Sequence, residues 1–283
     1  MTASIINKTI KSIVAASAAL IMAASVAACG PNAATPSEEN NASNGGATTS
    51  KVTARSLDEI KKSGVLKVAV FSDKAPFGYI DKDGKNAGYD IVFAERLAKD
   101  LGVKVKYTSV DPAARVDVLT SNKVDITLAN FTVTDERKNV MDFSDSYATG
   151  IQSIIVPEGS DIASPDDLAG KKIGTQRGTT GYIYCTDDFG EDNVIAYDDG
   201  LTAVQALNNG QVDAVVIDNA PAKSFVEANP GLKILDTAYA QEDYAIGVAK
   251  GNTALLDAIN SALEELQADG TLQAIVDKYI TAE

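Results

Sequence analysis

One segment of this chain occurs twice. Leu119-Thr-Ser-Asn-Lys-Val124-Asp125, running on to Asn130, is matched by Leu207-Asn-Asn-Gly-Gln-Val212-Asp213, running on to Asp218, and every paired position is 88 residues apart. A looser echo pairs Ser56-Leu-Asp-Glu-Ile60 with Ser164-Pro-Asp-Asp-Leu168, each shortly before an apolar run. Two echoes restrict the chain to a pair of related units. In both copies the repeated apolar run ends on a polar residue, Asn130 or Asp218.

The pattern around the echoes alternates short apolar runs with amphipathic stretches. Strands are predicted at Leu66–Phe71, Val103–Tyr107, Val124–Ala129, Ile151–Val156, Lys172–Thr175, Val194–Tyr197, Val212–Ile217 and Tyr244–Ala249, with a hairpin turning at Asp83-Gly84. Helices are predicted at Ile91–Leu101, Pro112–Leu119 (with Asp111 as cap), Asp135–Val140, from Gly181, Leu201–Asn208, Pro221–Glu227, Ala254–Ala268 and Thr271–Tyr279. Such alternation implies an α/β fold of two similar lobes with mixed, mostly parallel sheets.

Ligands of open α/β sheets bind beyond the carboxyl ends of the strands. The residues just past those ends are Phe71, Asn130, Thr132 and Arg137 in the first unit. In the second they are Arg177-Gly178-Thr179-Thr180 and Asp218. Arg137 stands out because a helix N-terminus disfavours a cation, unless an anion lies between it and the free N–H groups of the turn. Arg115 is similarly placed. Asp218 closes an apolar run, where an unpaired carboxylate is costly, although it also suits a helix cap. Cations, hydroxyls and one carboxylate together complement a zwitterion.

Composition removes other chemistries. Histidine is absent, which closes Ser-His-Asp and Cys-His catalysis and every His-containing zinc site. Asp81-Lys-Asp83-Gly-Lys-Asn86 lacks the sixth-position glycine and terminal glutamate of a calcium loop and reads as a turn. No metal or cofactor is expected. The formal charge of −14 argues against nucleic acid as a partner.

The N-terminus has the layout of a secretory leader. Lys8 and Lys11 precede an apolar run, Ser12 to Ala28, that ends in small residues before Cys29. The expected organisation is a signal peptide over 1–28, then lipidated Cys29 and a flexible tether over 29–55 that is poor in aliphatics. Its ~25 residues would reach roughly 25–30 Å. Lobe 1 is expected over 56–150 and 243–283, and lobe 2 over 151–242. Removing the leader takes the formal charge from −14 to −16. Cys185 is expected to be a half-buried small residue.

The motifs carry a resemblance over about 56–280. Gly88-Tyr89-Asp90-Ile91, Ala129-Asn130-Phe131-Thr132-Val133-Thr134-Asp135-Glu136-Arg137, Val140-Met-Asp142-Phe143-Ser144-Asp-Ser-Tyr147, Arg177-Gly178-Thr179-Thr180 and Val212-Asp213-Ala214 running to Asp218 resemble the polar-amino-acid branch of the bacterial extracellular solute-binding proteins, the receptors of ABC importers. The resemblance implies a type II periplasmic-binding-protein fold with two crossover strands near 150 and 242. It also implies that Arg137 grips an α-carboxylate, helped by Thr132, Thr179 and Thr180, and that Asp218 accepts the α-ammonium. The backbone of Ala129 and Asn130 would line that end.

The stretch from Phe71 to Tyr79 and the pair Arg115-Val116 look most like cysteine-binding members, whose relatives include aspartate and glutamate binders. Phe71 would then pack on the ligand and Arg115 face its side chain. Two departures are Val92, where many members carry an acid, and Gln176, where some place a lysine. The implied protein is a monomeric, non-enzymatic, lipid-anchored extracytoplasmic receptor that delivers a free L-amino acid to a permease and its ATPase. A periplasmic-type enzyme or a sensor domain on the same fold is the alternative.

Overall fold

A computed structural model describes residues 53–279. Cys29, the leader and nearly all of the tether lie outside the described residues. Two sheets organise the chain. The first has the order Lys104–Ser109, Val65–Val70, Ile126–Thr127, Gly247–Ala249, Met141–Phe143. The second has the order Val194–Tyr197, Ile173–Gln176, Ala214–Asp218, Ala148–Pro157, Leu232–Ile234, with Ala240–Tyr244 also paired to Ala148–Pro157. In each sheet three neighbouring strands run parallel, and the strands nearest the crossovers add antiparallel pairs.

Both echoes have structural counterparts. Ser56 and Ser164 both form capping boxes, with Glu59 and Asp167 respectively. Asn122 and Gly210 both take left-handed backbone, with φ of 57° and 68°, just after a helix. Asp125 accepts the Lys67 N–H and Asp213 the Lys172 N–H, each at 2.7 Å, so each carboxylate ties its strand to the next one.

Helices cover both faces of the second sheet. Its central strands therefore bury alternate residues in opposite directions. Ile154 and Val216 enter one apolar cluster, while their neighbours Ile155 and Val215 enter another. Cys185 lies in the first of these at 0 % exposure, more deeply than its type suggested. The core of the other lobe gathers Leu66, Val68, Phe93, Leu128 and Val248.

Several boundaries differ from the sequence reading. The helix expected from Pro112 begins at Arg115, because Asp111 closes a separate turn by accepting the Ala114 N–H at 2.8 Å. Tyr244–Ala249 is two strands, Ala240–Tyr244 and Gly247–Ala249, since the chain passes there from one sheet to the other. The remaining crossover runs from Phe143 to Ala148. The two crossovers are antiparallel and bonded along their length. Ala148 pairs Tyr244, the Tyr147 N–H donates to the Tyr244 carbonyl (3.0 Å), and the Ser144 N–H donates to the Ile246 carbonyl (2.9 Å).

Candidate functional site

A cavity of about 220 Å³ lies between the lobes at the carboxyl ends of the parallel strands, bordered by Phe71, Arg115, Asn130, Thr132, Thr179, Thr180 and Asp218. The first echo leads directly into it. Ala129 and Asn130 follow the strand Ile126–Thr127 with φ of 48° and 47°, two successive non-glycine residues in left-handed backbone. That geometry ends the strand and turns the Asn130 amide toward the other lobe, where Nδ2 donates to Asp218 Oδ2 at 3.1 Å. The two polar residues of the repeat thus meet across the cleft.

Asp218 ends its strand and makes no capping bond to the helix that follows, which excludes the cap reading. Its Oδ1 accepts from Gln152 Nε2 (2.7 Å) and the Tyr244 hydroxyl (2.9 Å). Burial, and then the nearby Glu242, push its pKa up to about 7.

Arg137 is 6 % exposed and sits in a six-residue helix capped by Thr134, whose Oγ1 accepts the Arg137 N–H. In so short a helix the third residue is as near one end as the other, so the dipole does not explain this arginine. Its burial does. Nη1 donates to the Thr132 carbonyl (2.7 Å), Nη2 to the Gly178 carbonyl (3.4 Å), and the guanidinium lies 4.6 Å from the Phe131 ring centre. Desolvation lowers its pKa while Glu242 opposes the shift.

Arg115 is equally enclosed, at 4 % exposure, which rules out a surface arginine. All of its donor nitrogens face backbone carbonyls, namely those of Pro112, Ala129, Asn130 and Gly178. Burial, and then repulsion from Arg137, lower its pKa to about 9. Phe71, 3 % exposed, is flanked by Lys74 and Arg115 at 5.7 and 5.6 Å from its ring centre.

Thr179 caps the helix Thr180–Phe189, its Oγ1 accepting the Tyr182 N–H and donating to the Gln176 carbonyl (2.7 Å). Thr180 is buried beside Gln152. Arg177 turns away, to Asp198 and the Ala196 carbonyl.

Sequence reasoning did not single out Lys74, Phe77, Pro221, Ser224 and Phe225, which border the cavity, nor two buried polar residues beside it, Glu242 and Gln152. Glu242, 5 % exposed, accepts from Thr132 Oγ1 (3.1 Å) and Gln152 Nε2 (3.2 Å). Gln152 is fully buried. A glutamine inside the apolar run Gly150–Val156 was the available signal for the second. Glu242 had none: a crossover near 242 was implied, but nothing local marks which of its residues becomes enclosed.

Around Asp218 and Thr132, three buried acceptors have no hydrogen-bond partner: Asn130 Oδ1, Gln152 Oε1 and Glu242 Oε1. Orphaned buried acceptors are costly; Asn130 borders the cavity, where a cationic donor would satisfy its oxygen, whereas Gln152 Oε1 packs against Gly181. Among the described residues no acidic, thiol or histidine cluster suits a metal.

Comparison with known proteins follows the same lines. The profile described as bacterial extracellular solute-binding proteins, family 3, matches residues 66–282. The L-cystine-binding protein TcyJ of Escherichia coli K12 is 35% identical over 231 residues, covering 80% of this chain and 86% of that protein. The solved L-cysteine receptor of Neisseria gonorrhoeae is 34% identical with a TM-score of 0.74, covering 80% of this chain and 94% of that one. An ancestral arginine-binding protein bound to glutamine is 42% identical with a TM-score of 0.71, covering 77% and 99%.

Proposed function

The chain belongs to the bacterial extracellular solute-binding proteins of family 3, and on that premise we propose that it is an extracytoplasmic receptor that closes on a free polar amino acid and presents it to an ABC permease and its ATPase. The observation that carries this reading is the polarity of the cleft. Asp218, Asn130 and Thr132 border the cavity, while Arg137 is held behind Thr132 through its carbonyl, and Gln152 and Glu242 stand behind Asp218 and Thr132. An α-carboxylate on Arg137 and an α-ammonium on Asp218 would complete both sides, with Thr132, Thr180 and the Ala129–Asn130 turn around them. Closing about the paired crossovers dries the site and strengthens the arginine–carboxylate contact.

The side-chain end of the cleft supports an uncharged or sulfur-bearing residue over an acidic one. Phe71, Phe77, Pro221 and Phe225 line it with Ser224; of its two cations, Arg115 already faces carbonyls and Lys74 is paired with Asp73 (3.6 Å). We therefore place the ligand with the cystine and cysteine binders among the relatives. A thermal-shift screen of the twenty amino acids and L-cystine tests this. L-Cystine or L-cysteine is expected to raise the melting temperature most, and a screen led by L-glutamate would overturn the side-chain assignment.

The same proposal gives the chain a leader over 1–28, an anchor and tether over 29–55, lobe 1 over 56–150 with 243–283, and lobe 2 over 151–242, acting as a monomer. Two acyl chains hold a protein stably at a membrane where one does not. Cys29→Ser is expected to abolish palmitate labelling and release the protein from the membrane fraction, and continued labelling would remove Cys29 as the anchor. A receptor rather than an enzyme is proposed, so mass spectrometry should recover the bound amino acid unchanged.

A further inference from the structure

The two buried guanidiniums of the cleft are used differently. Arg115 donates from Nε to the Pro112 carbonyl (3.0 Å) and from Nη1 to those of Ala129 (3.0 Å) and Asn130 (2.9 Å), all on its own lobe. From Nη2 it crosses the cleft to the Gly178 carbonyl at 3.0 Å. Arg137 reaches the same carbonyl only at 3.4 Å, and its short bond, 2.7 Å, is to Thr132 on its own lobe.

The receiving side is built for close approach. Gly178 has φ of 75°, and a Cβ there would fall 2.5 Å from Ala113 Cα and 2.6 Å from Ala113 N. The backbones of the two lobes touch at this point, which only glycine permits. The two carbonyls that Nη1 holds belong to the left-handed Ala129–Asn130 pair, a conformation that residues with a Cβ seldom adopt.

From this geometry we propose that Arg115 is a positioning residue that latches the lobes shut, while Arg137 is left to the ligand. One guanidinium fixes the strained turn that lines the cleft and bonds the opposite lobe, so the turn is set whenever the lobes meet. The proposal rests on reading the cleft as an amino-acid site with Arg137 on the carboxylate. When a carboxylate engages Arg137, its long contact to Gly178 is dispensable and Arg115 keeps the interlobe bond. A latch that needs no ligand stabilises the closed form of the empty receptor, and removing it lowers apparent affinity by lowering the competent fraction.

Small-angle X-ray scattering of the ligand-free protein tests the latch without reference to any amino acid. Wild type is expected to show a smaller radius of gyration than Arg115→Met or Gly178→Ala. Arg115→Lys, which keeps the charge but loses the fork, is expected to resemble Arg115→Met. With L-cystine or L-cysteine, whichever stabilises the wild type, Arg115→Met is expected to bind about tenfold more weakly and to reach the wild-type radius at saturation. One common ligand-free radius for all four proteins would overturn the latch. So would complete loss of binding in Arg115→Met at an unchanged ligand-free radius, which would make Arg115 a ligand contact. If Arg115→Met does not fold, Gly178→Ala decides alone, because its change lies at the interlobe contact. Failure of every amino acid to bind would overturn the receptor reading and leave the scattering comparison standing.

Discussion

Arg137→Ala is expected to weaken amino-acid binding by about 2–5 kcal/mol, the range for removing one partner of a buried, hydrogen-bonded charge pair. That is about thirtyfold to a few thousandfold in Kd. The size follows from enclosure. At 6 % exposure almost no water replaces the guanidinium, and a carboxylate brought to that wall would lie desolvated without a cation in reach. Arg115 does not substitute, because its donors face four carbonyls. Titration calorimetry with the amino acid that most stabilises the wild type checks the prediction. Near-normal binding would remove Arg137 from the carboxylate role. Arg137→Lys is expected to fall between, since an ammonium keeps the charge and loses the two-pronged geometry.

The second large effect is at Asp218. Asp218→Ala removes the acceptor shared by the Asn130 amide, the Gln152 amide and the Tyr244 hydroxyl. It also removes the carboxylate assigned to the ammonium, and a loss of the same order, about 2–5 kcal/mol, is expected. The site adds a pH dependence. Burial and Glu242 hold the Asp218 carboxyl at about 7, with Arg115 and Arg137 opposing the shift. Below that pH the ligand-free site carries a proton that the ammonium must displace. Affinity is expected to fall as pH drops from 7 to 5.5, approaching about tenfold per unit, and Asp218→Asn should flatten the profile.

Folding stability should move the other way. Between about 4 and 7 the folded state holds a proton on Asp218, and on Asp90, whose burial pushes it to about 7 as well, while the unfolded chain has released both. The empty receptor therefore loses stability as pH rises through that window. Calorimetry showing a flat affinity profile from pH 8 to 5.5 would remove the proton from the site. Unaltered affinity in Asp218→Ala would remove the residue.

What the sequence made legible was whatever the chain decides locally. The helix Asp135–Val140, the strand Val194–Tyr197 and the helix Thr271–Tyr279 lie where caps and apolar spacing put them. The repeat located Asn130 and Asp218, which do meet. What was illegible depends on contacts between segments distant in the chain. No local signal distinguishes an arginine that will grip four carbonyls from one that will face a ligand, because its acceptors lie up to 63 residues away. The break at Ala245-Ile246 was hidden for a similar reason. Both halves of Tyr244–Ala249 are apolar, and only the choice of partner sheet separates them.

The crossovers do more than connect the lobes. The second one also pairs with the ligand-lining segment after Asn130: Val133 N–H donates to the Asp243 carbonyl (2.9 Å) and Ala245 N–H to the Phe131 carbonyl (3.1 Å). The same crossover supplies Glu242 and Tyr244 to the Asp218 network. On the proposed reading, the end of the pocket assigned to the groups all amino acids share is therefore bonded to the crossover that joins the lobes. Pro221, Ser224 and Phe225, at the far end of the cavity, stand outside that network. Divergence thus has one inexpensive direction. A descendant of this chain can change its cargo by altering that distal wall and keep its motion intact, whereas a change at the common end would alter both together.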